Sequence, residues 1–372
     1  MILMDKKQNE IRIKLVSAVF IVILGGFFIL SRIVTPPAIL RAERRAPARL
    51  PPLSLNTVVS GEFMDRFENY AADSFPFRDN FRSLSSAMVF GMFMQNDKNG
   101  LYMDENGAGE FRTINPDSVK QLSRQIQTVA NAMSGVNIYY AYIPDKSIYS
   151  NKNLPGFDPV LAEKLLSENP GMDEYTFISL ENALDADSYY RTDLHWDQVK
   201  IESVLAALGA SMGFNADMNR FSEEYAGEFE GVYSGQIALP IGTDSLYFLS
   251  NPSLSAMYLN ERTMELESGP VYNWDRITGL DAYDFFLSGA QPLIILENND
   301  SANDRELYLF RDSFSSSLAP LLASAYSKII VIDLRYIDMR TLSRYIDFKS
   351  ESDALFLYST QILNNSSILL VR

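Results

Sequence analysis

The sequence predicts an α/β protein in which helices cover both faces of a mostly parallel β-sheet, with one transmembrane helix ahead of it. Near the C-terminus the short apolar runs PLIILEN, ELYLF, KIIVIDL and ALFLYS lack the polar alternation of a half-exposed strand. Helical stretches separate the later runs, as parallel strands require. The length of 372 residues allows one large domain or two ordinary ones, and with 47% hydrophobic residues the chain can build a sizeable core.

The first elements are a short segment at residues 1–14 and an apolar segment at 15–34, LVSAVFIVILGGFFILSRIV. At about 1.5 Å per residue, the apolar segment can span a hydrocarbon core of roughly 30 Å. No small-residue cleavage site follows directly, which favours an uncleaved signal anchor over a signal peptide. Positive charges flank both ends, so we predict the orientation from the very short N-terminal flank, which usually stays inside. We therefore expect a single-pass cell-membrane protein with its main domain outside the cytoplasm.

Residues 35–57 contain five prolines and are expected to form an extended linker. The main domain then covers 58–372, with a β-rich insertion or surface layer around 213–290, where GVYSG and IGTDS have the composition of turns. Apolar spacing predicts helices over 58–95, 116–134 (capped by Asp117), 159–168 and 196–212, and strands over 136–143 and 174–180.

The composition disfavours several classes of function. A net charge of −15 argues against a nucleic-acid partner, which requires a basic face. The absence of cysteine excludes disulfides, thiolate metal sites and a cysteine nucleophile, and a single histidine excludes a zinc site built on several. Acid–base chemistry near neutral pH falls most naturally to that histidine, although a carboxylate or lysine with a shifted pKa remains an alternative. We expect no cofactor and no metal.

The single histidine, His195, lies in the stretch SYYRTDLHWDQVK, two residues after Asp193 and ahead of a predicted helix. An Asp-x-His spacing in a loop lets the carboxylate reach the imidazole, fix its tautomer and stabilise the imidazolium. The alternative is that Asp193 caps the helix and that the histidine is structural or exposed.

Ser313 follows the apolar run ELYLF in the polar turn RDSFSSS. Because ligand sites gather at the carboxyl edge of parallel sheets, a hydroxyl here is a candidate nucleophile. Backbone N–H groups at the start of the next helix could stabilise an oxyanion beside it. The alternative is that the serines of this turn are ordinary turn and capping residues.

The motifs FENYAADSFPFRDNF, TDLHW, FEGVYSG followed by IGTDSLYFL, FRDSFSSSLAPLLA and IDLRY occur in this order along the chain. Together they resemble the bacterial DHHW family, which is related to the SGNH-hydrolase-like proteins that O-acetylate alginate and similar exopolysaccharides. The resemblance covers most of the chain beyond the predicted linker. It implies a three-layer α/β/α SGNH-hydrolase-like core.

The resemblance also implies a Ser-His-Asp triad, with Ser313 as the nucleophile, His195 as the base and Asp193 orienting the imidazole. The sequence departs from the family pattern at Leu194, where the family has its first histidine, and at Arg311, where SGNH enzymes have glycine before Asp-Ser. Weaker candidates for contact with the substrate or oxyanion are Asp312, Lys146, Asn298, Arg335 and Tyr336. For Lys146 the alternative is solvation, and for Arg335 and Tyr336 it is packing or a buried ion pair.

The sequence thus predicts a membrane-anchored acyl-ester enzyme outside the cytoplasm, an O-acetyltransferase or acetylesterase acting on a cell-envelope or secreted polysaccharide. Its acetyl donor could come from a partner membrane protein. The alternative is a catalytically inactive envelope protein on the same fold that binds glycan or scaffolds an assembly. That alternative is favoured if Asp193, His195 and Ser313 lie beyond hydrogen-bond reach of one another. A metal-dependent hydrolase is poorly supported, since acidic stretches such as LDADSYYRTD are usually only solvated.

Overall fold

The computed structural model describes residues 2–34, 36–152 and 155–371. Positions 1, 35, 153–154 and 372, which belong to the predicted segments, lie outside these described residues. The chain divides into two compact units, one formed by the residues before Gln95 together with Gly235–Leu239 and the other by the remainder. The prediction begins the main domain at residue 58, whereas the structure groups residues 58–94 with the N-terminal unit.

The N-terminal unit is helical. Its elements are α1 (Ile2–Ile33), α2 (Leu55–Val59), α3 (Glu62–Asp73) and α4 (Arg78–Ala87), and a π-helical turn, Met88–Met92, extends α4. Within α1, Gln8–Ser31 is long and apolar enough to cross a membrane. The side chain of Ser54 accepts a hydrogen bond from Thr57 N at 3.2 Å and so starts α2 within the predicted linker.

The second unit contains all the strands of the described residues. A small sheet holds β1 (Asp97–Lys98), β2 (Leu101–Asp104) and β3 (Gly107–Glu110), and a separate hairpin pairs β6 (Ser222–Phe229) with β7 (Asp244–Ser250). The large sheet holds β4 (Asn137–Ile143), β5 (Thr176–Phe177), β8 (Leu254–Asn260), β9 (Glu265–Gly269), β10 (Leu293–Asn298), β11 (Glu306–Arg311), β12 (Lys328–Ile332) and β13 (Asp353–Ser359). Its strand order is β5-β4-β13-β11-β12-β10-β8-β9. The first five strands in this order are parallel, and the last three are antiparallel additions.

The direction of β10 corrects one expectation. Its sequence, PLIILEN, predicts a parallel strand, but β10 runs antiparallel to β12, with Leu293 opposite Ile332. The short connection at residues 299–305 contains no helix, and a parallel crossover needs a dozen residues or more. As a result, β10 begins, rather than ends, at the carboxyl edge of the parallel strands.

Helices cover both faces of the large sheet. The helices that follow α4 are α5 (Pro116–Ala130), α6 (Pro159–Ser167), α7 (Glu202–Met212), α8 (Val232–Ile237), α9 (Ser315–Leu322), α10 (Met339–Leu342) and α11 (Thr360–Leu363). Side chains of β11 alternate between the faces: Leu307 and Leu309 pack with α7 and α9, and Tyr308 and Phe310 pack with α5 and α6. This three-layer α/β/α arrangement confirms the predicted fold class.

Two helix starts differ from the sequence prediction. Asn115, not Asp117, caps α5, because its side chain accepts from Ser118 N at 3.3 Å and Pro116 occupies the first helical position. Helix α7 begins at Glu202, so the residues from Trp196 to Ile201 remain outside the α-helix. The loop that carries His195 is therefore longer than the apolar spacing indicates.

Candidate active site

The loop at residues 188–197 folds back on itself and holds His195 against Asp193. Tyr190 N donates to the His195 carbonyl at 3.1 Å, and Asp197 N donates to the Ser188 carbonyl at 2.9 Å. The buried Asp193 Oδ1 lies 2.7 Å from His195 Nδ1 and also accepts from the His195 backbone N–H at 3.1 Å. An ionised carboxylate can only accept, so the imidazole proton is on Nδ1 and Nε2 is left as an acceptor.

Ser313 completes a continuous series of hydrogen bonds. It lies two residues beyond the carboxyl end of β11, and its Oγ is 2.8 Å from His195 Nε2. The adjacent Asp312 is buried, and its carboxylate accepts from Ser359 N at 2.7 Å and Phe314 N at 3.2 Å. Asp312 thereby fixes the turn that carries Ser313. The sequence analysis proposed Asp312 as a weaker candidate for contact with the substrate or oxyanion, whereas these hydrogen bonds are structural.

Two aromatic side chains hold the imidazole and the turn together. The ring of Tyr283 stacks on His195 with centroids 3.7 Å apart and an interplanar angle of 4°. Its hydroxyl is 2.7 Å from Ser317 Oγ, at the start of α9. Trp196, fully buried, donates from Nε1 to the Phe314 carbonyl and to Ser317 Oγ, both at 2.9 Å. The sequence analysis missed Tyr283, because it lies far from His195 in the chain and no local pattern marks it.

A second layer of contacts supports the loop. Asp244 accepts from the backbone N–H groups of Arg191 and Thr192, both at 2.7 Å, and from the Thr192 hydroxyl at 2.5 Å. Gly231 N donates to Thr192 Oγ1 at 2.8 Å, and a Cβ on this glycine would lie 2.2 Å from the Thr192 carbonyl oxygen. Val232 N donates to Asp193 Oδ2 at 2.8 Å. The motifs FEGVYSG and IGTDSLYFL contain these supporting residues and were the signal that could have identified them.

Lys146 is buried. The sequence analysis expected it either to contact the substrate or oxyanion or to be solvated, and neither role describes a buried side chain. Its ammonium donates to the carbonyls of Ala108 at 2.7 Å, Tyr190 at 2.6 Å and Arg191 at 3.2 Å. Burial lowers the pKa of this lysine to about 8, although neighbouring carboxylates oppose the shift. With its three donors directed at backbone carbonyls, Lys146 ties β3 to the loop that carries His195.

Arg335 forms the buried ion pair that was one of its expected roles. Its Nε and Nη2 donate to the two oxygens of Asp333 at 2.9 and 2.6 Å. The guanidinium carbon lies 5.4 Å from the ring centroid of Tyr336, which is half-exposed. Arg311 Nη1 lies 3.9 Å from Asp333 Oδ2, the oxygen that also accepts from Arg335 Nη2. We call Arg311, Asp333 and Arg335 the arginine–aspartate cluster.

Arg311 occupies the position where the Gly-Asp-Ser pattern implied by the resemblance has glycine. It is the last residue of β11, and its extended backbone needs no glycine. Its fully buried guanidinium donates to the Gly289 carbonyl at 3.2 Å and to Ser316 Oγ at 3.2 Å. The guanidinium therefore links the end of β11 to Gly289 and to the start of α9. Leu194, at the other departure from the family pattern, packs against the hydrophobic core.

Asn298 does not lie near Ser313, which corrects its proposed role. It ends β10 beside Lys328, the first residue of β12, at the amino edge of the parallel strands. The opposite edge is about 17 Å away along β11 at 3.3 Å per residue, and Ser313 lies two residues beyond it. The side-chain amide of Asn298 donates to the Ala323 carbonyl at 2.7 Å. The antiparallel direction of β10 is the reason for the error.

No protein-family model matches this sequence, and no curated protein matches it. The structure is similar to that of a DHHW family protein from Eubacterium siraeum, with 16% identity, coverage of 73% of this chain and 94% of that one, and a TM-score of 0.58. It is also similar to Bacillus cereus PatB1 with a sulfonyl adduct, with 15% identity, coverage of 73% and 100%, and a TM-score of 0.56. The O-acetyltransferase domain of Pseudomonas putida AlgJ matches more loosely, at 11% identity, coverage of 72% and 93%, and a TM-score of 0.40. At the level of the fold, the similarities to the DHHW family protein and to PatB1 confirm the resemblance that the sequence motifs indicate.

Proposed function

We propose that this chain is a membrane-anchored acyl-ester enzyme outside the cytoplasm, an O-acetyltransferase or acetylesterase acting on a cell-envelope or secreted polysaccharide. The observation that carries the proposal is the hydrogen-bonded series from Asp193 through His195 to Ser313, with links of 2.7 and 2.8 Å. A carboxylate, an imidazole and a hydroxyl in this order form the arrangement that activates a serine for attack on an ester.

The reaction has two halves. In the first, Ser313 Oγ attacks the acetyl carbonyl while His195 Nε2 takes the hydroxyl proton, and Asp193 stabilises the imidazolium. The ester bond breaks, the departing alcohol takes the proton from His195, and an acetyl group remains on Ser313. In the second half, a sugar hydroxyl or water gives its proton to His195 and attacks the acetyl carbonyl. Ser313 then recovers its proton and the acetyl ester or acetate leaves.

The negative charge that develops on the carbonyl oxygen needs a donor close to Ser313. The backbone N–H of Ser313 pairs with no acceptor among residues 2–34, 36–152 and 155–371. It lies in the turn that precedes α9, and the dipole of that helix favours negative charge at its start. We assign this N–H as one oxyanion donor.

The membrane anchor of this proposal is the apolar span Gln8–Ser31 of α1. Its short N-terminal flank favours a cytoplasmic N-terminus. In this orientation the domain that carries Ser313 shares a compartment with envelope polysaccharide, and a partner membrane protein could supply the acetyl group.

The proposal is tested on the full chain in detergent with p-nitrophenyl acetate and, because PatB1 holds a sulfonyl adduct, with a sulfonyl fluoride. We expect mass spectrometry to find the acetyl or sulfonyl group on Ser313 and to find none in Ser313→Ala. Ser315→Ala is the matched control, since the buried Ser315 Oγ has no partner among the described side chains and backbone. Acceptor oligosaccharides added to the acetyl-enzyme then separate transfer from hydrolysis. A folded wild-type protein that forms no adduct would instead favour the glycan-binding or scaffold alternative.

A further inference from the structure

Helix α4 has its polar residues inside and its apolar residues outside. Arg78 and Arg82 are partly buried, and Ser86 is fully buried. Arg78 bonds to Glu43, Arg82 donates to the carbonyl of Gly235 at 2.9 Å, and Ser86 donates to the carbonyl of Ile237 at 2.5 Å. This is the reverse of the usual pattern for a surface helix, which buries its apolar face.

The exposed face of α4 and its π-helical extension is a continuous apolar stripe. Helical spacing places residues 81, 84, 88 and 92 on one line, and the exposed Phe77 directly precedes the helix. Their side chains are between 39% and 70% exposed. We call this set the apolar stripe, and its members are Phe77, Phe81, Leu84, Met88 and Met92. Single exposed apolar residues are ordinary on a soluble surface, but a row of five large ones marks a surface that contacts lipid or protein.

An aromatic cluster joins this stripe to the membrane-spanning helix. The ring of Phe27 in α1 stacks on Phe75 at 5.1 Å and meets Phe81 edge-on at 5.8 Å, and Phe75 and Phe81 are 5.6 Å apart. Phe27 precedes Ser31, the end of the apolar span, by about 6 Å of helix. Helices that lie in a membrane interface sit about 5–10 Å into the boundary between headgroups and acyl chains. The stripe is therefore at the depth of that boundary when α1 spans the membrane.

The charge around the stripe favours a lipid partner. Residues 36–94 carry seven arginines and six carboxylates, whereas the whole chain has a net charge of −15. Anionic lipids repel an acidic surface but not a nearly neutral one with several arginines. The stripe lies on the part of the chain that an anionic bilayer does not repel.

We propose that the apolar stripe lies in the headgroup boundary of the bilayer that α1 spans, so that α4 is a second membrane contact. This inference rests on the anchor of the proposed function and is independent of the chemistry at Ser313. Its consequence is that the N-terminal unit lies on the membrane surface instead of standing away from it on a flexible tether.

The absence of cysteine makes a direct test possible, because one introduced cysteine labels one position. Leu84→Cys in the full chain is labelled with an environment-sensitive fluorophore and reconstituted into vesicles of phosphatidylcholine and phosphatidylglycerol. Vesicles that contain lipids with a nitroxide near the headgroup then measure proximity to the boundary. Met92→Cys is a second test position, and Asp79→Cys, which points away from the stripe and is exposed, is the matched control.

We expect nitroxide quenching at positions 84 and 92 to be about threefold stronger than at position 79, because a side chain in the boundary contacts the spin label directly. Equal quenching at all three positions would overturn the proposal. Weak quenching in pure lipid combined with protection of position 84 in cell membranes would also overturn it, in favour of a protein partner on the stripe. Resistance of the chain to alkaline extraction reports separately on the anchor, and the Ser313 adduct reports separately on the chemistry.

Discussion

The hydrogen-bonded series at Ser313 and the arginine–aspartate cluster are both organised around a buried carboxylate. They differ in whether the partner of that carboxylate can take up and release a proton. Each centres on a fully buried carboxylate, Asp193 in one and Asp333 in the other. Asp193 bonds to an imidazole, whose second ring nitrogen can accept a proton. Asp333 bonds to a guanidinium, which remains protonated. Burial and position at the sheet edge therefore do not distinguish a reactive carboxylate from a structural one, whereas the identity of its partner does.

The largest effect is expected at the imidazole. His195→Gln should lower kcat for ester hydrolysis by about 10⁴-fold or more, because the base that accepts the Ser313 proton is lost. Stopped assays with p-nitrophenyl acetate measure the loss, and circular dichroism verifies the fold. Activity within tenfold of wild type would place the base elsewhere and remove the contrast between the two carboxylates.

Asp193→Asn should lower kcat by about 10⁴-fold, since an amide no longer fixes the imidazole proton on Nδ1. The asparagine oxygen can still accept one of the backbone hydrogen bonds that Asp193 receives, so the loop should remain folded. Measurement of kcat alongside the thermal midpoint separates the two effects. A variant that unfolds without any specific loss of kcat in its folded fraction would assign Asp193 the structural role.

The reciprocal change in the other cluster should affect stability and not chemistry. Asp333→Asn leaves Arg335 and the buried Arg311 without their carboxylate, which should cost about 3–5 kcal/mol in the free energy of unfolding. Urea denaturation measures this cost. At temperatures where the variant is folded, kcat should remain within tenfold of wild type, and a larger loss would show that the cluster contributes to catalysis.

Asp197 offers a third buried carboxylate, whose one ion pair is long, with Lys200 Nζ 3.9 Å away. Burial raises the pKa of this carboxyl to about 6, so the folded protein holds its proton more tightly than the unfolded chain does. The free energy of unfolding therefore falls as the pH rises from about 4 to 6. Asp197→Asn should remove this cost and stabilise the protein by roughly 2 kcal/mol above pH 6, with little effect below pH 4. Denaturation curves across this range test it, and a difference that does not change with pH would contradict it.

The smallest effect is expected from the ring that covers the imidazole. Tyr283→Leu should lower kcat by roughly 2- to 10-fold, because aromatic stacking of this kind contributes about 0.5–1.5 kcal/mol. Tyr283→Phe keeps the stack and loses only the bond to Ser317, so its kcat should lie closer to wild type than that of the leucine variant.

The sequence predicted those parts of the site that depend on local pattern. ELYLF indicated β11, so Ser313 was expected at the carboxyl edge, and the Asp-x-His spacing brought Asp193 within reach of His195. The sequence pattern did not predict which distant segments pair with one another. The direction of β10 depends on the strand with which it pairs. The prediction took β10 as parallel and so placed Asn298 at the wrong edge of the sheet. Tyr283 stacks on His195, and backbone carbonyls accept hydrogen bonds from Lys146. Both sets of contacts likewise join segments that are far apart in the sequence.

The solitary imidazole makes this protein unusually easy to observe by spectroscopy. Because the chain has one histidine, selective nitrogen labelling gives one pair of ring signals with no overlap, even at 42.0 kDa. The face of Tyr283, 3.7 Å away, should shield the ring protons and give the signal a distinctive position. One titration would then read the tautomer and the protonation of His195 directly, and acylation of Ser313 would be seen as a change in that same signal.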